Sequence, residues 1–223
     1  MSLLTLLANR YHTDKGTSEA EAHGYTEFYS FLFEQFRYDR FSMLEIGLGR
    51  LGIEGTVPTK MALSIPSVRM WLDFFPNAFC YGFDVLDFSQ VSLDRFGFIR
   101  GDLSDPVALD MLFTKLPPLK LIVDGASHAS LHQQFALTKL FDRVEPGGFY
   151  VIEDLHGAPE LETVRKTSTV LEEFLETHVL KFDFASKESI ERITKEIGNT
   201  FVHRTKAAGS NRWYPKMVVF QKR

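Results

Sequence analysis

The sequence has little cysteine, no excess of basic residues and no long apolar run, and each absence narrows what the protein can be. Cys80 is the only cysteine among 223 residues, so no disulfide can form within the chain, which favours a reducing cytoplasm. The formal net charge of -4 leaves no basic excess to contact phosphates, so nucleic acid is not an expected partner. No apolar run approaches the roughly 18 residues that a membrane span needs, so we expect no membrane partner.

The rest of the composition is that of one globular domain. Hydrophobic residues make up 44% of the chain, and a chain of this length can bury its own core. We expect a single domain with an N-terminal helical cap at 1–40, a ligand-binding core at 41–155, and C-terminal helices and late strands at 156–223. The 21 phenylalanines would favour a homo-oligomer if they lay on exposed helix faces.

Strand-like and helix-like patterns alternate along the chain, which predicts an α/β fold. Apolar runs predict five parallel strands, and amphipathic stretches predict the helices between them. The alternation favours a mostly parallel sheet with helices on both faces, and two late strands fit an antiparallel end. The predicted strands are 43–46, 79–83, 96–100, 119–123, 149–152, 201–205 and 217–221, and the predicted helices are 2–11, 26–38, 67–75, 106–116, 132–144, 163–177 and 189–196. We expect Phe31 of the second helix to face the core, Ser67 to be the N-cap of the third, and Pro146, Gly147 and Gly148 to close the fifth.

The stretch from Phe41 to Gly55, FSMLEIGLGRLGIEG, runs from a strand into a glycine turn. Gly47 and Gly49 let the backbone come close to a ligand, and two kinds of ligand compete for this turn. Together with Gly52 they match the G-x-G-x-x-G fingerprint of dinucleotides such as NAD. That fingerprint requires a helix that opens on the glycines and an acid about 20 residues further on.

Two features of this stretch favour a cationic ligand instead. Pro58 and Pro66 delay the next helix, and the next strand-end acid, Asp84, lies much further along than the fingerprint requires. Glu45, just before the first glycine, does nothing useful for a pyrophosphate but suits the ammonium and sulfonium of S-adenosylmethionine (SAM). The pattern acid-x-Gly-x-Gly resembles motif I of class I SAM-dependent methyltransferases. The long loop 48–66 is expected to form a substrate-facing lid.

Every predicted parallel strand ends on an acid, and the carboxyl ends of such strands border one ligand crevice. A single strand-end acid is more often only a capped turn, but five in succession predict a negative crevice that attracts cations or ribose hydroxyls. We expect Glu45 beside the methionine portion of SAM, Asp84 on the ribose hydroxyls and Asp102 beside the adenine amine. The acids are Glu45, Asp84, Asp102, Asp124 and the pair Glu153 and Asp154.

A histidine follows the fourth predicted strand in the segment VDGASH, and another ends the segment VIEDLH after the fifth. His128 lies at the mouth of the expected crevice, where a side chain with a pKa near neutral can act as a general base. A surface loop histidine is the alternative for His128, and more so for His156. Asp124, Glu153 and Asp154 could together hold a hard divalent cation such as Mg²⁺.

The segments TDKG, HGY, LEIGLG, FD, GD, DGASH and PGGFYVIEDLH follow one another between Tyr11 and His156. In this order they resemble a bacterial natural-product methyltransferase family. It includes the macrolide-sugar O-methyltransferases of the demethylmacrocin and mycinamicin type and relatives named after cephalosporin hydroxylase. The resemblance implies a Rossmann-like class I methyltransferase fold with a seven-stranded sheet, SAM as cofactor, and a small-molecule acceptor.

The resemblance also assigns roles to individual residues. His128 matches the family's proposed base, which deprotonates a sugar hydroxyl, and Asp154 matches an acid that binds magnesium. The family often has a second Asp in the strand-four motif as a metal ligand, where this chain has Gly125, so Mg²⁺ is expected only if Asp124 and Asp154 suffice. Asp124 could serve SAM, the metal or only the turn.

The N-terminal residues Lys15, His23 and Tyr25 match the family's first motifs and are expected to close over the cofactor or substrate.

The leading hypothesis is a SAM-dependent O-methyltransferase acting on a hydroxyl of a sugar or another natural product. A second hypothesis keeps the SAM-binding fold but transfers methyl to nitrogen or carbon, or serves as a non-catalytic scaffold. The third is an NAD-dependent oxidoreductase.

Overall fold

The computed structural model describes residues 1–19, 22–49, 65–157, 162–206, 211 and 213–223. Over these ranges, seven strands form a mostly parallel sheet accompanied by helices, which confirms the predicted fold class. Most of the predicted lid, residues 50–64, lies outside the described residues. Backbone contacts divide the chain into two compact units, Met1–Arg100 and Gly101–Arg223. The predicted division into cap, core and C-terminal segment stays a prediction.

The described residues of the first unit form three helices and three parallel strands. The strand order is β3-β2-β1, with Ser42 opposite Phe79 and Cys80 opposite Phe96. The elements are α1 (Leu3–Tyr11), α2 (Tyr25–Phe33), β1 (Ser42–Ile46), α3 (Pro66–Phe74), β2 (Phe79–Asp84) and β3 (Phe96–Arg100), with a short 3-10 turn at Glu34–Phe36.

Buried aromatic rings hold this first unit together. The rings of Tyr29 and Trp71 lie 5.6 Å apart, and Phe75 stacks on Trp71 at 5.9 Å and on Phe36 at 5.7 Å. The prediction that Phe31 faces the core is wrong, because its side chain is 80% exposed. The helical period explains the difference, since a face that carries residues 25, 29, 32 and 36 leaves position 31 on the opposite side.

Helix α3 begins without the cap that the sequence indicates. Ser67 was the predicted N-cap, but the helix starts at Pro66 and its N-cap residue is Ile65, with φ 42° and no capping side chain. Proline suits the first helical position because its missing N–H needs no partner there. At the other end, the guanidinium of Arg95 donates to the carbonyls of Leu72, Phe75 and Ala78 at 2.8–2.9 Å.

In the second unit, the part of the chain that the structure describes forms four helices and four strands. Strand β4 runs parallel to β5, while β7 is antiparallel to both β5 and β6, as expected for the late strands. The strand order is β4-β5-β7-β6. The elements are α4 (Pro106–Lys115), β4 (Leu119–Asp124), α5 (Ser130–Leu140), β5 (Val144–Ile152), α6 (Thr167–Thr177), α7 (Lys187–Glu196), β6 (Ile197–Lys206) and β7 (Trp213–Lys222), with a 3-10 turn at Phe141–Arg143.

Strand β5 starts earlier than the sequence predicts. Pro146, Gly147 and Gly148 were expected to close a helix, but the strand runs through them from Val144, and its pairing with β4 shifts register there. Gly147 has φ 72°, a conformation that favours glycine. A Cβ on Gly148 would lie 2.8 Å from the carbonyl oxygen of Lys120. The segment is therefore an irregularity within a strand.

No helix of the described ranges combines the length and the apolar character that crossing a membrane would demand.

Candidate functional site

In the first unit, the glycine turn after β1 is held by the carboxylate of Asp84. Gly47 has φ 85°, and its N–H donates to the carbonyl of Phe83 at 2.9 Å. Asp84 Oδ2 accepts the N–H groups of Leu48 at 2.7 Å and Gly49 at 3.2 Å. The structure thus brings three predicted cofactor-binding residues, Gly47, Gly49 and Asp84, into one hydrogen-bonded turn.

These hydrogen bonds give Asp84 a structural role in the turn that the sequence did not indicate. Its Oδ1 also accepts the N–H of Leu86 at 2.8 Å, so three backbone donors use three of the carboxylate's roughly four acceptor sites. Asp84 therefore shapes the turn itself, and its expected contact with ribose stays a prediction.

Glu45, one residue before the end of β1, pairs with a lysine from the N-terminal motif. Lys15 Nζ lies 3.6 Å from Glu45 Oε1, and the two side chains are 9% and 1% exposed. A lysine is almost never buried unless it is paired. The charge of Glu45 also adds to burial in raising the pKa of the Cys80 thiol. The buried carboxylate that was expected beside a cationic ligand thus has a cation from its own chain.

The motifs TDKG and HGY form one backbone structure around Lys15. The N–H of His23 donates to the carbonyl of Asp14 at 2.7 Å, that of Gly24 to Gly16 at 2.8 Å, and that of Thr26 to Lys15 at 3.2 Å. The rings of His23 and Tyr25 stack at 5.1 Å, and Tyr25 is buried. The two motifs found separately in the sequence are therefore one folded element.

In the second unit, the acids that follow β4 and β5 lie at neighbouring strand ends. Asp124 pairs in register with Ile152, and the N–H of Glu153 donates to the carbonyl of Asp124 at 2.8 Å. Asp124 is 2% exposed and Asp154 is 7% exposed. Burial and the charge of Asp124 raise the pKa of Tyr150 well above its ordinary value. Two acids predicted to serve a metal are thus buried at adjoining positions of the sheet edge.

His128 and Asp154 face each other across this edge. His128 Nε2 lies 3.4 Å from Asp154 Oδ2, and both residues adopt the left-handed conformation, with φ 59° and 52°. This conformation is uncommon for residues other than glycine, and such backbone strain tends to collect at functional sites. The structure therefore brings together the predicted base and the predicted metal ligand.

Three residues of this region were missed by sequence reasoning. Gln133 of α5 is buried, and its Nε2 donates to the carbonyl of Glu153 at 3.1 Å. Ser127 Oγ is hydrogen-bonded to His132 Nδ1 at 2.7 Å. Gly157 packs against the ring of His128, since a Cβ there would lie 2.7 Å from His128 Nδ1. A buried glutamine in a helix gives no sequence signal that separates it from an exposed one.

Asp102 lies in a capped turn, and a ring nitrogen of His156 lies within 4.8 Å of a carboxylate oxygen of Asp154. Asp102 Oδ1 accepts the N–H of Ser104 at 2.8 Å. The backbone and hydroxyl of Ser104 lower the pKa of Asp102, with a smaller effect from His132. His156 is exposed, and its ring centroid lies 5.7 Å from that of Tyr214. A capped turn accounts for what surrounds Asp102, and its expected contact with adenine stays a prediction.

The sequence is similar over two thirds of its length to characterised enzymes, although no protein-family model matches it. It is 35% identical over 152 residues to mycinamicin VI 2''-O-methyltransferase of Micromonospora griseorubida and to demethylmacrocin O-methyltransferase of Streptomyces fradiae. Each match covers 68% of this chain. The chain is a homologue of natural-product sugar O-methyltransferases. It spans 36% of the length of these curated relatives.

The fold agrees with solved structures of one such enzyme. The methyltransferase MycE from the mycinamycin pathway, in complex with Mg and SAH, matches 98% of this chain and 54% of its own, with a TM-score of 0.71 and 25% identity. Its complex that also contains mycinamycin VI matches with a TM-score of 0.70 and 26% identity. The resemblance predicted from the motifs is confirmed, and these structures favour SAM over a dinucleotide as the cofactor.

Proposed function

We propose that the protein is a SAM-dependent methyltransferase that methylates a hydroxyl of a small molecule, with sugars of natural products as the favoured acceptors. The acceptor class rests on the relatives, which are named as sugar O-methyltransferases. The observation that carries the chemistry is the pairing of His128 with Asp154 beyond the ends of β4 and β5. A cytoplasmic location is part of the proposal, supported by the buried free thiol of Cys80.

The proposed cofactor site uses the residues at the strand ends. Glu45 and the turn of Gly47 and Gly49 would take the methionine portion of SAM, because the glycines allow close approach of the ligand. Asp84 would hold this turn and offer its remaining acceptor site to ribose. Asp102 would lie beside adenine, and Asp124 would serve either SAM or the metal. Carboxylates suit this ligand because SAM carries a sulfonium and an ammonium but no phosphate.

In the proposed reaction, the methyl group leaves the sulfonium sulfur as its bond to sulfur breaks and a bond to the acceptor oxygen forms. S-adenosylhomocysteine (SAH) is the leaving group, and the hydroxyl proton passes to the imidazole of His128. Positioned general bases contribute about 10²- to 10⁴-fold to rates. Holding both reactants in line supplies much of the remaining acceleration.

Asp124 and Asp154 fit a magnesium ion by their chemistry and burial. Two buried carboxylates at adjoining strand ends repel each other, and Mg²⁺ is usually held by one or two carboxylates together with waters. Gly125 offers no side chain that could bind the ion, so Asp124 and Asp154 would be the ligands that the protein supplies. When bound, the ion would polarise the acceptor hydroxyl and offset the carboxylate charges.

The test is methyl transfer from SAM carrying a ¹³C-methyl group to a panel of macrolides and aromatic polyketides with free sugar hydroxyls. We expect a new O-methyl resonance in wild-type reactions with Mg²⁺. His128→Asn should lower turnover at least 10²-fold while SAH affinity is kept, because asparagine tolerates the left-handed backbone. His178→Asn is the matched control, since His178 is exposed and also has a left-handed φ of 56°.

Two results would contradict the proposal. If the ¹³C-methyl group is found on a nitrogen or carbon of the acceptor, the protein does not methylate a hydroxyl. Full activity of His128→Asn would show that His128 is not the general base.

A further inference from the structure

The buried ion pair of Lys15 and Glu45 stands where the proposed cofactor would be bound. Glu45 is the penultimate residue of β1, two residues before the left-handed Gly47 that starts the glycine turn. Ligands of open α/β sheets bind beyond the carboxyl ends of the strands. The ammonium of Lys15, 3.6 Å from Glu45 Oε1, therefore brings a positive charge to the same strand end.

The backbone of Lys15 is held by hydrogen bonds at both its N–H and its carbonyl. Its N–H donates to Thr13 Oγ1 at 3.4 Å, and its carbonyl accepts the N–H of Thr26 at 3.2 Å. The next residue, Gly16, packs so closely that a Cβ there would lie 2.4 Å from Asn9 Oδ1. A side chain whose backbone is already ordered loses less entropy when it holds a ligand.

The pair matches the charge pattern of the amino-acid end of SAM. In any amino acid, standard bond lengths place the ammonium nitrogen about 2.5 Å from the carboxylate carbon. A lone Glu45 would attract that ammonium but repel the adjacent carboxylate. Two opposite protein charges 3.6 Å apart allow the zwitterion to lie antiparallel, with each of its charges beside an opposite one. Such interactions are stronger in a buried setting than in water.

We propose that Lys15 binds the carboxylate of the methionine portion of SAM while Glu45 binds its ammonium, so that this ion pair recognises the amino-acid zwitterion. The inference rests on the proposed function, because SAM is the proposed cofactor. It gives Lys15 a role in binding the cofactor, in addition to its ion pair within the fold. An ammonium can serve more than one carboxylate at a time, so Glu45 need not release Lys15.

The test compares two ligands that differ only in this carboxylate. Calorimetry measures the Kd of SAH and of its decarboxylated form, S-adenosyl-3-thiopropylamine, for wild type and for Lys15→Met. Wild type should prefer SAH by about 10- to 100-fold, the range expected for a hydrogen-bonded charge pair. Lys15→Met should lose most of that preference, and Lys15→Arg should keep much of it.

A ratio of two affinities measured on one protein cancels any general effect of the substitution on the fold. If Lys15→Met does not fold because Glu45 loses this cation, Lys15→Met/Glu45→Gln removes both charges and should also lose the preference. The control is Lys139→Met, which removes an exposed pair with Asp110 and should keep the wild-type ratio.

The proposal is overturned if Lys15→Met, or the double variant in its place, discriminates between the two ligands as wild type does. It is also overturned if wild type binds both equally, although SAM binding would then stand. Failure of wild type to bind either ligand would overturn the proposed function together with this inference.

Discussion

His128 is positioned by the backbone around it as much as by Asp154. The N–H of Gly157 donates to the carbonyl of Asp154 at 2.8 Å, which closes the turn after β5. The same glycine leaves the space that the imidazole of His128 fills. A small shift of a reacting group lowers rates steeply, by up to about 10²-fold for 1 Å, so this contact matters for the proposed chemistry.

Gly157→Ala tests that contact. The new methyl group would lie 2.7 Å from His128 Nδ1 and push the ring away from its position. We expect kcat for methyl transfer to fall by about 10- to 100-fold, with little change in the Kd of SAH. Steady-state kinetics and calorimetry on the same preparation measure both quantities.

Gly198→Ala is the matched control for this glycine. A Cβ there would meet the flexible side chain of Arg223 at 3.1 Å, so kcat should be retained. An unchanged kcat in Gly157→Ala would show that the position of the His128 ring does not depend on this contact.

The sequence could predict that His128 and Asp154 lie at the same sheet edge, because each follows a strand by a few residues and the ends of parallel strands meet at one edge. It could not predict the pairing of Lys15 with Glu45, since the two residues are 30 positions apart and helix α2 lies between them in the chain. The role of Gly157 is equally hidden, because only the folded position of the His128 ring shows why a side chain is excluded.

The helices of the first unit show which aromatic residues carry the fold. Trp71 of α3 is fully buried among the rings of Tyr29 and Phe75, whereas Phe31 on α2 is 80% exposed. Trp71→Ala should lower the free energy of unfolding by about 3–5 kcal/mol through the cavity it leaves. Phe31→Ala should change it by less than about 0.5 kcal/mol. Urea unfolding followed by circular dichroism measures both values, and similar losses would contradict the assigned core face.

The β6–β7 ribbon of the second unit contains a histidine that makes its stability depend on pH. Burial, and secondarily the charge of Lys216, lowers the pKa of His203, which lies opposite Met217. As the pH falls, the unfolded chain takes up this proton first, near its ordinary pKa of about 6.5. The stabilisation is therefore fully present above that pKa and is lost as the pH falls towards the folded value.

His203→Gln should reduce this dependence. The drop in Tm between pH 7.5 and pH 5.5 should be smaller in the variant than in wild type, as measured by thermal unfolding at both pH values. His178→Asn, which changes an exposed histidine at the end of α6, should keep the wild-type drop. An equal drop in His203→Gln and wild type would contradict the assignment.

Element identities were predictable from periodicity, but several boundaries depend on distant residues. Helix α5 begins at Ser130, two residues before the predicted start, because the carboxylate of Glu162 accepts both the N–H and the hydroxyl of Ser130 at 2.6–2.7 Å. Similarly, Arg95 closes the end of α3 from more than twenty residues away. Such caps come from tertiary structure, so local patterns do not contain them.

The fold and the relatives agree at the level of the complete described chain. Alternating strands and helices predicted the mostly parallel sheet, which β7 joins in the antiparallel direction, and the fold matches that of MycE. The expectation of a homo-oligomer stays a prediction. The fully buried Phe33, Phe74 and Phe141 show that many of the phenylalanines serve the core.

The central claim, that the strand-end acids and the glycine turn bind SAM, is tested most directly by calorimetric titration. The purified protein is titrated with SAH and with NAD, each with and without Mg²⁺. We expect a Kd for SAH in the micromolar range and no binding of NAD, because the related structures bind SAH. Binding of NAD without binding of SAH would contradict this claim and would indicate that the glycine turn binds a dinucleotide.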